Sequence, residues 1–434
     1  MKKKVLIGVL AILGVGLTCC GYLVYRQKQS YQQYIPKNAS TLFRVNVDAL
    51  LRSIAWNAVL NPGYYFDSDK KKHKKSFDLG DSGLHIPANI FFFTIEPDDA
   101  TFFSVFSIDD FDELQCYTKN ILGISKLQTV DSLVFQGTAF NGKLCLMFTK
   151  DRLALCVSAS KVEKFNLLRS LIRQEGSMTT VEQSPFYEAI KTQHELVYTD
   201  GASIIDADFG RGSLSLSGDI KTALVKGVKR LYPKQFESNS LIKFWLAADI
   251  TPLLARQRKF FEKHHIPVDT LLRYYGTYMD LEWKKNLTLQ QDTIITYDYN
   301  DNFERVEQRV VRKERVPEIY LSFQASPHLA NYLPKQLFYK FQHESRADRL
   351  FFGTGRKYQQ SNRDHLSNDF FYLYIDSKGL RNQGNYPLLP PSFKRLEKME
   401  FSAQKLADEH IHLDGKLHFE NSSVNGLVQL LRGN

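Results

Sequence analysis

Residues 133–157 read LVFQGTAFNGKLCLMFTKDRLALCV, and this stretch decides the fold class. Three apolar runs, Leu133–Phe140, Leu144–Phe148 and Leu153–Val157, are separated by Asn141-Gly142 and by Lys150-Asp151. Asn-Gly suits a tight hairpin because both residues tolerate the left-handed backbone that such turns need. The spacing therefore predicts three successive antiparallel strands. A turn centred on Lys150-Asp151 also sets Cys145 directly opposite Cys156 on neighbouring strands.

The same reading extends outward. Upstream, Ile90–Ile95 and Phe102–Ile108 flank Glu96-Pro97-Asp98-Asp99 and read as a further hairpin. Leu42–Val47 (LFRVNV) alternates as a strand. Asp48 is placed to cap a helix over Ala49–Leu60, with Leu50, Leu51, Ile54 and Ala58 toward the core and Asn61-Pro62-Gly63 as its stop. Helical spacing also marks Asp110–Leu122 and Lys161–Arg173. After residue 240 the pattern begins again: strand-like Ile242–Ala248 runs into Asp249 and Ile250-Thr251-Pro252-Leu253-Leu254, much as Asp48 opens Ala49-Leu50-Leu51. Later strands fall at Tyr278–Trp283, Thr293–Tyr299, Ile319–Phe323, Phe370–Ile375, Met399–Gln404 and Ile411–Phe419, with a closing helix over Val424–Leu431. The expected fold is α+β: an N-terminal transmembrane helix followed by a mixed, largely antiparallel-sheet ectodomain, with a duplicated α+β unit as its candidate organisation. The expected divisions are a cytoplasmic tail at 1–4, the span at 5–25, a tether at 26–40, and α+β units at 41–230 and 240–434.

The span rests on Val5–Tyr25, VLIGVLAILGVGLTCCGYLVY, a run without a charge. As a helix it is about 31 Å long, enough for a hydrocarbon core of about 30 Å. Lys2, Lys3 and Lys4 precede it, and Tyr22 and Tyr25 fall where an interfacial aromatic belt sits. The lysines and the terminal amine outweigh Arg26 and Lys28, which places the N-terminus inside and the rest of the chain outside the inner membrane, in the periplasm. A second reading stays open: Leu17-Thr18-Cys19-Cys20 resembles a lipoprotein signal with Cys20 as the lipid-attachment residue.

Charge patterning argues against nucleic acid. The net charge is +10, but Lys2, Lys3, Lys4, Arg26, Lys28 and Lys37 lie in the first 40 residues with no acid among them. The remainder carries 51 basic and 47 acidic side chains, too even a balance for a broad polyanion-binding face.

Residues with chemical potential are few. Lys70, Lys71, Lys72, Lys74 and Lys75 form a run able to contact a polyanion such as anionic headgroups, or to stand solvated beside Asp67, Asp69 and Asp78. Cys145 and Cys156 are placed for a disulfide or for a pair of buried thiols, and directly opposed strand positions favour the thiols. His410, His412 and His418 share a strand face if the strand runs unbroken past Asp414-Gly415, where the glycine suggests a turn. Neither that set nor His264-His265 has a third metal ligand fixed by spacing. Ser158-Ala159-Ser160-Lys161 matches the short Ser-x-x-Lys pattern of acyl-serine enzymes without its companion motifs, and reads as a strand end with a Ser cap on the next helix. Gly353-Thr354-Gly355 lacks the rest of a phosphate loop. Asp131-Ser132-Leu133, Asp269-Thr270-Leu271 and Asp292-Thr293-Ile294 fit an Asp-Ser/Thr-aliphatic glycosylation pattern. No catalytic residue, metal ligand or cofactor site is expected.

Ile35-Pro36-Lys37-Asn38-Ala39-Ser40, Tyr297-Asp298-Tyr299-Asn300-Asp301-Asn302-Phe303 and the terminal Asn421–Leu431 give the chain a resemblance to a known group. It resembles single-span or lipid-anchored envelope proteins of Bacteroidetes-type bacteria, in families named only as domains of unknown function. The resemblance implies location and a mixed α+β build, and it transfers no active site. The expected function is a non-catalytic, membrane-anchored envelope protein with a binding or scaffolding ectodomain and an envelope component as partner. A carrier or sensor of an apolar ligand is the alternative, and a hydrolase comes third.

Overall fold

The computed structural model describes residues 18, 21–66, 79–96, 100–124, 127–131, 133–227, 235–263, 268–299, 305–332, 339–346, 348–355, 367–384, 395–407 and 409–431. Most of the predicted span, Cys20, the lysine run at 70–75 and His264-His265 lie outside these residues. Among the described residues no helix is long and apolar enough to cross a membrane. The chain divides into two compact units, Met1–Gly210 and Arg211–Asn434. Both are α+β, with antiparallel sheets.

The first unit opens with helix α1 (21–30) and strand β1 (Tyr34–Pro36). Strand β2 (Thr41–Asn46) runs directly into helix α2 (Val47–Leu60). There follow β3 (Asn89–Thr94), β4 (Thr101–Ser107), α3 (Phe111–Asn120), β5 (Gln128–Asp131), β6 (Val134–Ala139), β7 (Leu144–Phe148), β8 (Arg152–Ser158), α4 (Phe165–Arg173), β9 (Met178–Thr180), β10 (Leu196–Thr199) and β11 (Ile204–Gly210). The sheet order is β11-β10-β2-β3-β4-β8-β7-β6-β5, antiparallel throughout, and β1 pairs separately with β9. The hairpins predicted from residues 133–157 form, with Asn141 and Gly142 both at positive φ in the first turn.

Alternation along these strands builds an apolar layer on each side of the sheet. Leu42, Phe91, Phe93, Phe103, Met147 and Cys156 face one layer, closed by Leu168, Leu171 and Ile172 of α4. Ile90, Phe106, Leu146, Phe148 and Leu153 face the other, closed by Leu114 of α3. A sheet covered on both faces explains why β3 reads NIFFFT, apolar without alternation. Arg44 is the exception within the first layer. It is fully buried, and its guanidinium donates to Thr192 O (2.8 Å), His194 O (2.5 Å) and Tyr31 Oη (3.2 Å).

The second unit comprises β12 (Ser213–Lys221), β13 (Lys226–Gly227), β14 (Ile242–Asp249), α5 (Thr251–Arg256), α6 (Arg258–Lys263), α7 (Val268–Tyr274), β15 (Tyr275–Tyr299), β16 (Arg305–Ala325), β17 (Gln342–Arg346), β18 (Arg349–Gly353), β19 (Asp369–Asp376), α8 (Ser377–Gln383), β20 (Leu396–Ala407), β21 (His410–Phe419) and α9 (Gly426–Leu431). Its order is β12-β21-β20-β19-β14-β15-β16-β18-β17, again antiparallel, with β13 on part of β14. β12 pairs with β21 over its whole length, which ties residues 213–221 to this unit.

Three local expectations change. The cap of α2 is Asn46, whose side chain accepts from Ala49 N at 3.0 Å, so the helix begins as soon as β2 ends. Asp48 lies inside the first turn and pairs with Arg26 at 3.5 Å. Residues 278–283 and 293–299 belong to one strand, because the Lys-Lys-Asn between them makes an irregularity in register and not a turn. β21 runs unbroken through Gly415, where the Phe401 ring covers the backbone and a Cβ would come within 2.5 Å of it.

Candidate functional site

α1 lies against the end of the first unit's sheet. Arg26 donates to Ile86 O at 2.6 Å, and Gln33 donates to Val105 O at 2.9 Å. Ser30 accepts from the Asn89 amide at 2.8 Å. Beside this helix is a cavity of about 480 Å³, walled by Tyr22, Tyr25 and Arg26 of α1, by His85, and by Arg152 of β8. Its remaining wall is mainly Gln, Ser and the edge of the apolar layer under α4, and among the described residues no Asp or Glu lines it.

α2 is apolar on nearly every side but only half covered. Its inner side brings Ile54 and Ala58, half-buried, and Asn57, which is 3% exposed and accepts from Tyr65 Oη at 2.7 Å. Ser53 donates to Phe209 O at 3.3 Å. On the other side Leu51, Trp56, Val59 and Leu60 stand 56%, 63%, 70% and 45% exposed. Leu51 was expected to face the core and instead faces solvent. Positions 51, 52, 55, 56, 59 and 60 recur at helical spacing, so this is one continuous stripe, with Arg52 its single charge.

The groups with catalytic potential do not assemble. Cys145 and Cys156 are directly opposed and wholly buried, and both are free thiols. Burial raises the Cys145 thiol and pushes Cys156 up to about 12, so neither supplies a thiolate near neutral pH. The Cys145 thiol donates to Val162 O at 2.8 Å. Ser158 accepts from Ser160 N at 3.4 Å, while Lys161 pairs with Glu163 at 3.2 Å, so the Ser-x-x-Lys residues are engaged separately. Ser158 is not a helix cap either: α4 starts at Phe165 after Lys164. Thr354 accepts from Ile319 N and donates to Pro317 O, pinning a turn. Asp269 is held by Arg258 at 2.7 and 3.0 Å, which lowers its carboxyl.

His410, His412 and His418 do share a face of β21, but each has its own surroundings. His412 lies 2.6 Å from Asp219 and 3.2 Å from Asp414, and the hydrogen bond to Asp219 leads in raising it. His418 is lowered, first by burial and then by Lys398 and Lys416. Among the described residues no three His, Cys, Asp or Glu side chains converge as metal ligands. A cluster not anticipated from sequence joins β10 and β11 to α2. His194 contacts Asp208 at 2.6 Å, and Asp208 accepts from Glu195 N at 2.8 Å. Glu195 accepts from Phe209 N at 2.6 Å and bonds Ser53, and burial raises its carboxyl. Ser53 thus meets a carboxylate and not the histidine, which is a tether and not a nucleophile–base pair.

In the second unit, β15 and β16 continue past the sheet as a two-stranded ribbon, paired from Leu287↔Pro317 to Tyr299↔Arg305. Opposed residues share a face. Leu287, Leu289, Ile295 and Tyr297 therefore stand with Arg305, Arg309, Val311, Lys313 and Arg315, all exposed. Arg305 stacks over the Tyr297 ring at 3.6 Å.

No family model and no curated protein matches the chain. Among solved structures it is similar to TP0453, to crystal form I with a TM-score of 0.23 and to crystal form III with 0.25. Each is 9% identical, and each match covers 74% of this chain and 93% of that one. A likeness this slight carries no argument about function.

Proposed function

We propose that this chain is a non-catalytic, membrane-anchored protein of a bacterial cell envelope, with residues 5–25 crossing the inner membrane once and the two α+β units in the periplasm. Its ectodomain works at the membrane surface as a binding scaffold, and its partner there is an anionic bilayer. The observation that carries this is the outer stripe of α2. A helix apolar on nearly all sides is ordinarily enclosed, yet Leu51, Trp56, Val59 and Leu60 face outward together. Trp with branched aliphatics on an exposed helix face is the composition of helices that lie in a membrane interface. Lys70, Lys71, Lys72, Lys74 and Lys75 follow within 15 residues of its end, and cations near an anionic leaflet contribute about 1 kcal/mol each. A lipid on Cys20 would serve the same placement.

The two units also support the duplication inferred from sequence. In each, the opening strand (β2, β14) leads into helix and then pairs with the next strand (β3, β15), beyond which come the third strand and a reversed hairpin (β4-β8-β7, β16-β18-β17). A late strand and its hairpin partner lie on the other side (β10-β11, β19-β20). The carrier reading has less behind it, since Phe91, Phe93, Phe148 and Met147 fill the apolar layers of the first unit.

Of the three tryptophans, Trp245 and Trp283 are buried at 5% and 6%, which leaves Trp56 as a natural reporter. The full chain reconstituted in vesicles containing brominated phosphatidylglycerol should show quenching that Trp56→Phe abolishes. Equal quenching in the variant would refute contact between α2 and the bilayer.

A further inference from the structure

We infer that the cavity beside α1 is a binding site for the phosphate of an anionic amphiphile, with Arg152 as the anion contact and Tyr22 and Tyr25 against the apolar part. The volume of about 480 Å³ lies within the ~300–1,000 Å³ of small-molecule sites and exceeds what a bare phosphate fills. The basic side chains facing it are unevenly satisfied. Arg26 is balanced by Asp48 at 3.5 Å, and His85 by Asp109 at 3.1 Å. Arg152 lines the same wall, half-buried, and among the described residues its guanidinium has no ion pair or hydrogen bond. A guanidinium on a cavity wall without a protein acceptor is open to a carboxylate or phosphate, which it engages through two parallel N–H donors.

The rest of the wall agrees. Among the described residues no Asp or Glu lines the cavity, and the nearby Asp48 and Asp109 are engaged by Arg26 and His85. The C-terminal end of α4 reaches the wall through Leu171 and Gln174, but its carbonyls are already occupied: Leu171 O accepts from Gln174 N and Ser170 O from Glu175 N. The negative end of that helix dipole is therefore muted at the site. Tyr22 and Tyr25, 61% and 65% exposed, offer apolar ring faces at the rim. They belong to the turn of helix that continues the uncharged run from Val5, so a lipid headgroup is the nearest source of such a ligand. The inference goes beyond the contact of α2 with the bilayer, and its test uses water-soluble ligands, so either idea can fail alone.

The test titrates the full chain in zwitterionic nanodiscs with three probes: dihexanoyl phosphatidylglycerol, inorganic phosphate and uncharged dihexanoylglycerol. Saturable binding of the anionic lipid and no binding of dihexanoylglycerol is expected. Arg152→Ala should weaken it by about tenfold to a hundredfold, the worth of a charge-assisted hydrogen bond, and Arg152→Lys should restore part of the loss. Ser107→Trp in the cavity wall, which obstructs part of the space and leaves every charge in place, should weaken binding at least tenfold with the unfolding midpoint unchanged. Inorganic phosphate bound as tightly as the lipid would keep the anion site and assign it to the free ion. Equal affinity for dihexanoylglycerol, or an Arg152→Ala protein that folds and binds as the wild type does, would overturn it.

Discussion

The outer face of α2 and the ribbon of β15 and β16 both expose apolar side chains, and they do so differently. On α2 the exposed residues are contiguous, with Trp56 among them and Arg52 the only charge in the stripe. On the ribbon Leu287, Leu289, Ile295, Tyr297 and Val311 are similarly exposed, but Arg305, Arg309, Lys313 and Arg315 stand on the same face. Those cations keep water against the ribbon and discourage another strand from adding to its edge. Their stems also cover apolar surface, as Arg305 does over Tyr297. Exposure alone therefore does not mark a docking surface; continuity without charge does.

The largest expected effect comes from breaking that continuity. Leu51→Asp with Val59→Asp keeps Trp56 as reporter and removes two apolar contacts worth about 1.5 kcal/mol each, before the cost of the new charges. Quenching of Trp56 by brominated lipid should fall at least tenfold, while urea unfolding shifts little, since neither side chain is buried. Val310→Asp with Val311→Asp should leave the quenching unchanged. If the ribbon pair reduces quenching as strongly, the ribbon meets the bilayer as α2 does.

A middle-sized effect separates the inner face of α2 from the ribbon. Asn57 is buried and accepts from the Tyr65 hydroxyl at 2.7 Å, so Asn57→Ala removes that hydrogen bond from the inner face and should cost about 0.5–1.5 kcal/mol. Val311→Ala in the ribbon should cost under about 0.5 kcal/mol, as surface changes do. Denaturant melts at constant m-value measure both. A ribbon substitution as costly as Asn57→Ala would mean that the ribbon is packed and not free.

Where the deciding interactions are local, the sequence was readable. Asn141-Gly142 and the symmetry about Lys150-Asp151 place Cys145 opposite Cys156, as the register has them. The cap of α2 was misread because Asn46 and Asp48 are equally good cap residues, and only the end of β2 selects between them. The turn expected at Gly415 failed because the glycine answers to Phe401 on the neighbouring strand. The stripe on α2 was invisible for a related reason. Ala49, Leu50, Leu51, Ile54, Ala55, Trp56, Ala58, Val59 and Leu60 surround the helix, and nothing in periodicity says which half the sheet covers. The cavity draws its wall from residues as far apart as Tyr22 and Met178, so no local pattern announces it.

The smallest expected effect concerns how α2 is held, and it depends on pH. Glu195 bonds Ser53 of α2, and its carboxyl is raised above the ordinary value of 4.5, chiefly because it is buried. Between that value and the raised one, the folded protein keeps a proton that the unfolded chain has released. Stability contributed by this group therefore falls as pH rises through that window and is constant on either side of it. Glu195→Gln cannot titrate and should flatten this part of the pH profile, read as the unfolding midpoint between pH 4 and 8. An unchanged profile in Glu195→Gln would place the titration elsewhere and would remove Ser53–Glu195 as the link that orients the inner face of α2 and so turns its apolar stripe outward.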